Sequence, residues 1–243
     1  MPEGPSIFIL KEAVQQFKGK KIIEASDTAK IELPALKNQT IIDFKSWGKH
    51  FLICFKTFTI RIHFMLFGTY LINGKKKMKP RLGLQFSNGE LNFYSSNIEI
   101  ITEDLNKIYD WTADVMNKKW DAANAKKKIK LQPDLLVCDA LMDQQIFSGV
   151  GNIIKNEVLF RIRVHPLSKA NKLPLKKLNE LLKEAVNYTF QFYEWKKNNE
   201  LKKHWLAYNK KTCPRDHVPF HKKELGKSHR GTYFCEMCQQ LYV

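Results

Sequence analysis

The chain opens Met1-Pro2-Glu3-Gly4-Pro5, and its second and third residues could do chemistry together. Removal of Met1 would leave Pro2 with a secondary α-amine, a class of group roughly two to three pKa units less basic than a lysine side chain. More of such an amine is uncharged near neutral pH, and an uncharged amine can attack C1′ of a sugar to form an iminium. Glu3 is the nearest carboxyl that could protonate a sugar ring oxygen and later assist proton removal. The same dipeptide is also an ordinary way for a chain to begin, so its meaning depends on its company.

A second set of reactive side chains lies at the far end. The chain has 5 cysteines. Cys54 and Cys138 stand singly in apolar segments, whereas Cys213, Cys235 and Cys238 cluster, a distribution that suits a reducing compartment and a metal site better than a disulfide framework. Cys235-Glu-Met-Cys238 is one knuckle, preceded by Thr232-Tyr-Phe234, which suits a strand. Its partner is irregular, because Cys213-Pro-Arg-Asp216 has a carboxylate where a second thiol would be expected, and His217 follows. Zinc takes three thiolates and an imidazole more commonly than a carboxylate among thiolates. The expected ligands are therefore Cys213, His217, Cys235 and Cys238, with Asp216 as the alternative and His221 and His229 as nearby competitors. One structural zinc ion held this way would supply much of the folding energy of a small hairpin.

Between these ends lie residues suited to gripping a polyanion. Leu141-Met-Asp-Gln-Gln-Ile-Phe-Ser-Gly-Val-Gly-Asn152 reads as helix, glycine-flanked turn, helix. Asn152 would start the second helix, where free amides and the helix dipole favour an anion; an ordinary helical hairpin with a capping Asn would look the same. His63-Phe-Met-Leu-Phe-Gly68 follows a strand and would put Met65, Leu66 and Phe67 on a loop, where apolar side chains can fill the gap left by an extruded nucleotide. The alternation of Phe64, Leu66 and Tyr70 is equally the mark of a continuing core strand. The charge supports the polyanion reading: 41 Lys and Arg stand against 24 Asp and Glu, a net charge of +17. Such an excess favours nucleic acid as partner, although a solvated lysine-rich surface would also produce it.

The elements that must position these residues follow from periodicity. Ile7, Leu10, Val14 and Phe17 predict a short amphipathic helix over 5–17. From about 20 to 110 the segments are short, β-branched and aromatic, and Asn73-Gly74 and Asn88-Gly89 read as hairpin turns. Residues 126–134 read as a charged linker closed by Pro133. Helical patterns follow at about 134–147, 152–161 and 174–196, and the last segment is short, polar and rich in Cys and His. The expected organisation is a β-rich N-terminal domain over 1–125, a sandwich or barrel of mostly antiparallel strands with flanking helices, then a linker over 126–134, a helical domain over 135–206, and a small metal-bound segment over 207–243. No apolar run is long enough to span a bilayer and no secretory leader is apparent, so no membrane partner and a cytoplasmic (nucleoid) or otherwise intracellular location are expected.

Taken in order, the Pro-Glu start, Ser46-Trp-Gly-Lys-His50, the glycine turn running through Asn152-Ile-Ile-Lys-Asn-Glu157 to His165-Pro166, and His229-Arg-Gly-Thr-Tyr-Phe-Cys235 resemble the Fpg/Nei family of base-excision DNA glycosylases over nearly the whole chain. The resemblance implies an α+β fold: a β-sandwich, then a helix–two-turn–helix domain with a zinc β-hairpin. It implies Pro2 as nucleophile, Glu3 as acid, and Lys49 as the group that holds phosphate and assists elimination. It also implies Arg230 as the hairpin Arg on phosphates flanking the lesion, Asn152 as a phosphate contact, and Glu157 as a residue near the active amine. Met65, Leu66 and Phe67 match the void-filling triplet of the Nei type. Phe93-Tyr-Ser-Ser-Asn-Ile-Glu99 also looks like the Nei version, which favours oxidised pyrimidines over 8-oxoguanine.

The activity implied is a bifunctional glycosylase/AP lyase acting as a monomer on damaged DNA by β,δ-elimination. It would use a structural zinc and no catalytic metal or redox cofactor. Alternatives are an 8-oxoguanine- or formamidopyrimidine-preferring enzyme and a non-catalytic zinc-dependent DNA-binding protein. Two departures stand out. Ser6 replaces the Glu that many relatives carry there, and a Cys-His-Cys-Cys set resembles one animal branch of the Nei-like enzymes more than the bacterial four-Cys form.

Overall fold

Pro5 lies in the first turn of helix α1 (Gly4–Ala13), where its missing amide costs nothing because that amide would have no intrahelical acceptor. Ile7 and Leu10 are buried, and the expected apolar stripe continues through Val14 and Phe17, although the chain tightens into a 3-10 turn at Gln15–Phe17. The computed structural model describes residues 2–28 and 36–243; residues 29–35, part of the stretch expected to be sheet, lie outside the described residues. The chain divides into two units, Met1–Tyr109 and Asp110–Val243.

The first unit holds strands β1 (Glu24–Asp27), β2 (Asp43–Trp47), β3 (His50–Cys54), β4 (Thr59–Ile72), β5 (Leu82–Phe86) and β6 (Gly89–Ile101), then a single helical turn, α2 (Leu105–Ile108). They hydrogen-bond as one six-stranded antiparallel sheet in the order β1-β5-β6-β4-β3-β2, rather than as two separate sheets. The long strands β4 and β6 belong to both halves of it. The first part of β4 pairs with β3 and with the end of β6, and its last part pairs with the beginning of β6, which in turn pairs with β5. Both halves feed one core: Phe51 and Phe64 lie 5.9 and 6.1 Å from Phe93, ring centroid to centroid. Asn73-Gly74 does not close a hairpin, because β6 lies between β4 and β5. It opens instead a connecting loop over 73–81.

In the second unit the expected linker is a helix, α3 (Ala122–Lys130). Asp121 caps its first amides by accepting from Ala123 and Asn124, and Lys127, Lys128 and Lys130 crowd its last turn, where the helix dipole favours cations. A lysine run reads as a linker by composition, but a capped helix accommodates it, and the division of the chain falls earlier, at Tyr109. Helices α4 (Val137–Met142), α5 (Asn152–Arg161) and α6 (Leu175–Lys197) follow, with strands β7 (His221–Leu225) and β8 (Arg230–Phe234) forming an antiparallel hairpin. Helix α4 stops earlier than expected where side chains replace its backbone bonds: Gln144 Nε2 donates to Met142 O, and the Asp143 carboxylate accepts from the Gln145 amide. Among the described residues no helix is long and apolar enough to cross a membrane.

Candidate functional site

In the first unit, Glu3 is the N-cap residue of α1 and only 1% exposed. Its carbonyl accepts from the Ser6 amide at 2.8 Å, closing the first turn. Helix α1 packs on β2 and β3, the two strands joined by the turn that carries Lys49. Trp47 pairs with His50 across this two-residue turn, and Gly48 takes φ 52°, the left-handed first position that a hairpin of this kind requires. The turn therefore fixes the direction in which Lys49 leaves the sheet.

Behind Lys49 is a cluster that spacing alone did not announce. His50 pairs with His63 across β3 and β4, its ring 5.3 Å from the His63 ring. His50 Nδ1 lies 3.2 Å from the Tyr109 hydroxyl, and Arg61 pairs with Glu99. Burial first, and then the charges of Arg61, His63 and Lys49, hold the His50 pKa down at about 3. His63 is lowered as well, by burial and by Lys49 and Arg61. Both imidazoles are neutral near pH 7, so the fixed cations here are Lys49 and Arg61.

Just past His63 the sheet breaks register. Phe64 pairs with Ser96 and Thr69 with Tyr94, so residues 65–68 of β4 face only Ser95 of β6. The excess is extruded, leaving Met65, Leu66 and Phe67 at 56%, 51% and 79% exposure. These three are a protruding apolar bulge and not a core strand. Gly68 closes it: a Cβ there would sit 2.7 Å from Phe64 Cβ and 2.8 Å from Ser95 O.

In the second unit, the turn before α5 is tied by Gln144, whose Oε1 accepts from Gly149 N and whose Nε2 donates to Val150 O. Asn152 stands at the start of α5 as expected. Its Nδ2 donates to Gly231 O at 3.0 Å, so the structure brings Asn152 to the residue beside the exposed Arg230. Two further residues of the same helix face share this work. Asn156 Nδ2 also donates to Gly231 O, and its Oδ1 accepts from Tyr233 N at 2.7 Å. Lys155, 1% exposed, donates to Thr232 Oγ1 at 2.8 Å. Residues 152, 155 and 156 have the i, i+3, i+4 spacing of one helix face, and three polar residues there were the available sign of a buried partner. Asp139 accepts from Lys227 N at 2.8 Å and so holds the tip of the hairpin. Glu157, fully buried, accepts backbone amides from Leu206, Ala207 and Tyr208 at 2.7–3.1 Å. Its visible role is to fix the segment leading to the cysteines.

The metal-ligand expectation is corrected at one position. Ligand atoms of Cys213, Asp216, Cys235 and Cys238 all lie within 4.8 Å of one another; His217 is not among them. Asp216 Oδ2 is 3.4 Å from Cys213 Sγ and 3.2 Å from Cys235 Sγ, and the Cys213 and Cys238 sulfurs are 3.9 Å apart. These separations suit a tetrahedral ion, for which ligand bonds of about 2.0–2.3 Å place donors roughly 3.5–3.8 Å apart. The reason is geometric. Asp216 occupies the third position after Cys213, as Cys238 does after Cys235, whereas His217 has φ 56° and donates its amide to Cys213 O, closing the knuckle as a turn residue. Burial, followed by the neighbouring Asp216 carboxylate, pushes the Cys238 thiol up to about 12. A cation is what would let this group ionise at neutral pH. Arg215 fastens the knuckle to the end of α5, donating to the carbonyls of Phe160 and Arg161.

The comparisons with known proteins follow this division. Residues 1–97 match the model of the formamidopyrimidine-DNA glycosylase N-terminal domain, and residues 111–191 match that of the formamidopyrimidine-DNA glycosylase H2TH domain. Endonuclease 8-like 3 of Mus musculus is 32% identical over 210 residues, covering 79% of this chain and 33% of that protein. The chain thus spans about a third of the length of such relatives. The crystal structure of a viral DNA glycosylase superposes with a TM-score of 0.87 at 21% identity, covering 98% of this chain and all of that one. A Lactococcus lactis formamidopyrimidine-DNA glycosylase, non-covalently bound to DNA containing an AP site, superposes with a TM-score of 0.86 at 20% identity, covering 98% and 99%. On these matches the chain belongs to the Fpg/Nei family.

Proposed function

We propose that this protein is a bifunctional DNA glycosylase/AP lyase of base-excision repair. Once Met1 is removed, the Pro2 nitrogen attacks C1′ of a damaged nucleotide while Glu3 protonates the sugar ring oxygen. The C1′–N bond to the base breaks, and the base leaves with the bonding electrons and takes up the proton that the Pro2 nitrogen gives up. The C1′–O4′ bond then opens onto the oxygen protonated by Glu3 as the nitrogen lone pair forms C1′=N+. The resulting ring-opened iminium acidifies C2′–H. Loss of that proton expels the 3′ phosphate by β-elimination, and a further proton loss expels the 5′ phosphate by δ-elimination. Lys49 holds the phosphate next to the reacting sugar. Met65, Leu66 and Phe67 occupy the space that the extruded nucleotide leaves in the stack. In the second unit Arg230 and Asn152 contact backbone phosphate. A structural zinc held by Cys213, Asp216, Cys235 and Cys238 keeps the hairpin folded. Damaged DNA is the partner, and oxidised pyrimidines are the preferred lesions.

The observation that carries this reading is the protruding Met65–Phe67 bulge in the same unit as the capped Pro2-Glu3 start and the Lys49 turn. A protein that only bound DNA would need neither the amine nor the buried carboxyl. Support for DNA as partner comes from the Lactococcus relative of the same fold, which is bound to AP-site DNA. Borohydride trapping tests the proposal, using protein with verified Met1 removal and oligonucleotides carrying an abasic site, thymine glycol or 8-oxoguanine. A covalent adduct mapped to Pro2 is expected, formed faster on thymine glycol than on 8-oxoguanine. No adduct on any substrate would overturn the catalytic reading, and faster trapping on 8-oxoguanine would reverse the lesion preference.

A further inference from the structure

The loop over 73–81, between β4 and β5, has the sequence Asn73-Gly-Lys-Lys-Lys-Met-Lys-Pro-Arg81, with Lys75 to Lys79 all exposed. It is nevertheless well tied down. Asn92 Nδ2 donates to Gly74 O at 2.9 Å, Lys76 N donates to the Tyr94 hydroxyl at 3.0 Å, and Arg81 donates to Thr28 O at 2.8 Å. Thr28 Oγ1 closes the far end on Pro80 O at 3.1 Å.

The anchoring sorts the cations. Lys75 pairs with Glu90 at 3.0 Å. Lys76 lies over the Tyr94 ring at 4.9 Å and donates to Thr69 Oγ1. Arg81 is spent on the backbone. Lys77 and Lys79 remain at the crest with no ion pair among the described residues, flanking the 55% exposed Met78. Like charges on an ordered loop repel, and among the described residues no ion pair offsets Lys77 or Lys79. An external polyanion would.

The position of the loop indicates which one. Thr69 and Tyr94 are register partners, and they are the first pair after the Met65–Gly68 bulge. Lys76 touches both. One cross-strand pair thus anchors the apolar bulge and the basic loop together, so a duplex entered by the bulge has its backbone beside the loop.

We infer that the loop 73–81 is a phosphate-binding surface of the first unit, with Lys77 and Lys79 contacting DNA backbone next to the nucleotides that the bulge displaces. This rests on the proposed function. It adds a contact that the lesion chemistry itself does not need, and it makes the first unit bind DNA through its backbone as well as through the damaged site. An acidic protein surface is a less suitable partner, because Lys75, Lys76 and Arg81 are already engaged and the loop cannot be drawn out as a free basic peptide.

The test is the salt dependence of binding to a duplex carrying a non-cleavable abasic analogue. Each phosphate that a side chain neutralises adds about 0.9 to the steepness of log K against log salt concentration. The Lys77→Ala/Lys79→Ala double variant, with an unchanged melting temperature, should therefore have a slope shallower by about 1.8 and bind more weakly at low salt. Lys77→Arg/Lys79→Arg should keep the wild-type slope. If wild type binds and the alanine variant has the same slope and affinity, the loop does not touch DNA and this inference fails while the proposed function stands. If wild type does not bind the duplex at all, both fail.

Discussion

Burial of His50, and then the charges of Arg61, His63 and Lys49, make protonating its ring costly in the folded unit. The folded pKa is about 3 against an ordinary 6.5; across that window the unfolded chain binds a proton that the folded unit refuses. Stability therefore falls as pH drops below about 6.5, and the full cost is reached only below the folded pKa. His63 contributes in the same direction. Urea melts at successive pH values should show a shallower acid decline for His50→Gln than for wild type between pH 6.5 and about 4.5; equal declines would mean that His50 is protonated in the fold. A second residue-scale expectation concerns the metal. Asp216→Ala should lower zinc affinity about tenfold or more, whereas His217→Ala should leave zinc stoichiometry at one per chain, as read by a chelating dye. Loss of zinc in the His217 variant alone would restore the imidazole as ligand. The three thiols were legible because Cys-x-x-Cys spacing is itself the geometry of a knuckle. The fourth ligand was misread because ligand preference was weighed above the equivalence of position, which places Asp216 where a cysteine would be. The cluster around His50 was not legible at all, since it joins β3, β4 and Tyr109 across long sequence separations.

At the scale of elements, α5 and β8 are joined by polar groups where an apolar contact would be expected. Asn156 satisfies both Gly231 O and Tyr233 N, and Lys155 adds Thr232. Asn152 also donates to Gly231 O, so losing Asn156 leaves chiefly the Tyr233 amide without its acceptor, at a cost of about 1–3 kcal/mol. Asn156→Ala should therefore lower the stability of the second unit by about that much, with faster hydrogen exchange at Tyr233 than at α6 amides. Uniform destabilisation with unchanged Tyr233 exchange would argue against this pairing. Helix α5 and the turn before it are recognisable from periodicity and glycines, and β8 from Thr232-Tyr-Phe234, whereas the polar strand β7 has no pattern of its own and the hairpin is implied only by the family resemblance. The topology of the first unit was less so. Alternation fixes which face of a strand is buried but not which strands are neighbours, so Asn73-Gly74 looked like a hairpin turn although β6 intervenes. The Met65–Phe67 bulge was undecided in sequence because its alternation fits a strand equally well; only the register against β6, with Gly68 packed against Ser95, decides it.

For the molecule as a whole, the two units differ in what keeps them folded. The first is built on one large apolar core running from Ile7 to Ile98. The hairpin end of the second has a small one, with Phe160, Ala207, Cys213 and Cys235 buried and Val218, Phe220 and Cys238 against them. So few apolar groups offset little of the entropy of ordering the hairpin, and a metal ion held by the Cys213, Asp216, Cys235 and Cys238 cluster would supply the difference. The same hairpin carries Arg230 and, with its flanks, much exposed lysine. Metal removal should therefore act locally on structure and widely on binding. With a strong chelator, hydrogen exchange at Thr232 and Tyr233 should approach unprotected rates while amides of β3 and β4 keep their protection. DNA affinity should fall together with its salt slope, because a disordered hairpin no longer holds its cations against phosphate. Restoring zinc should reverse both. If chelation leaves Thr232 and Tyr233 protected, the hairpin is held by α5 through Lys155 and Asn156 alone, and the metal has no structural role. If β3 and β4 lose protection together with the hairpin, the molecule unfolds as one cooperative system and the two units do not have separate stabilities.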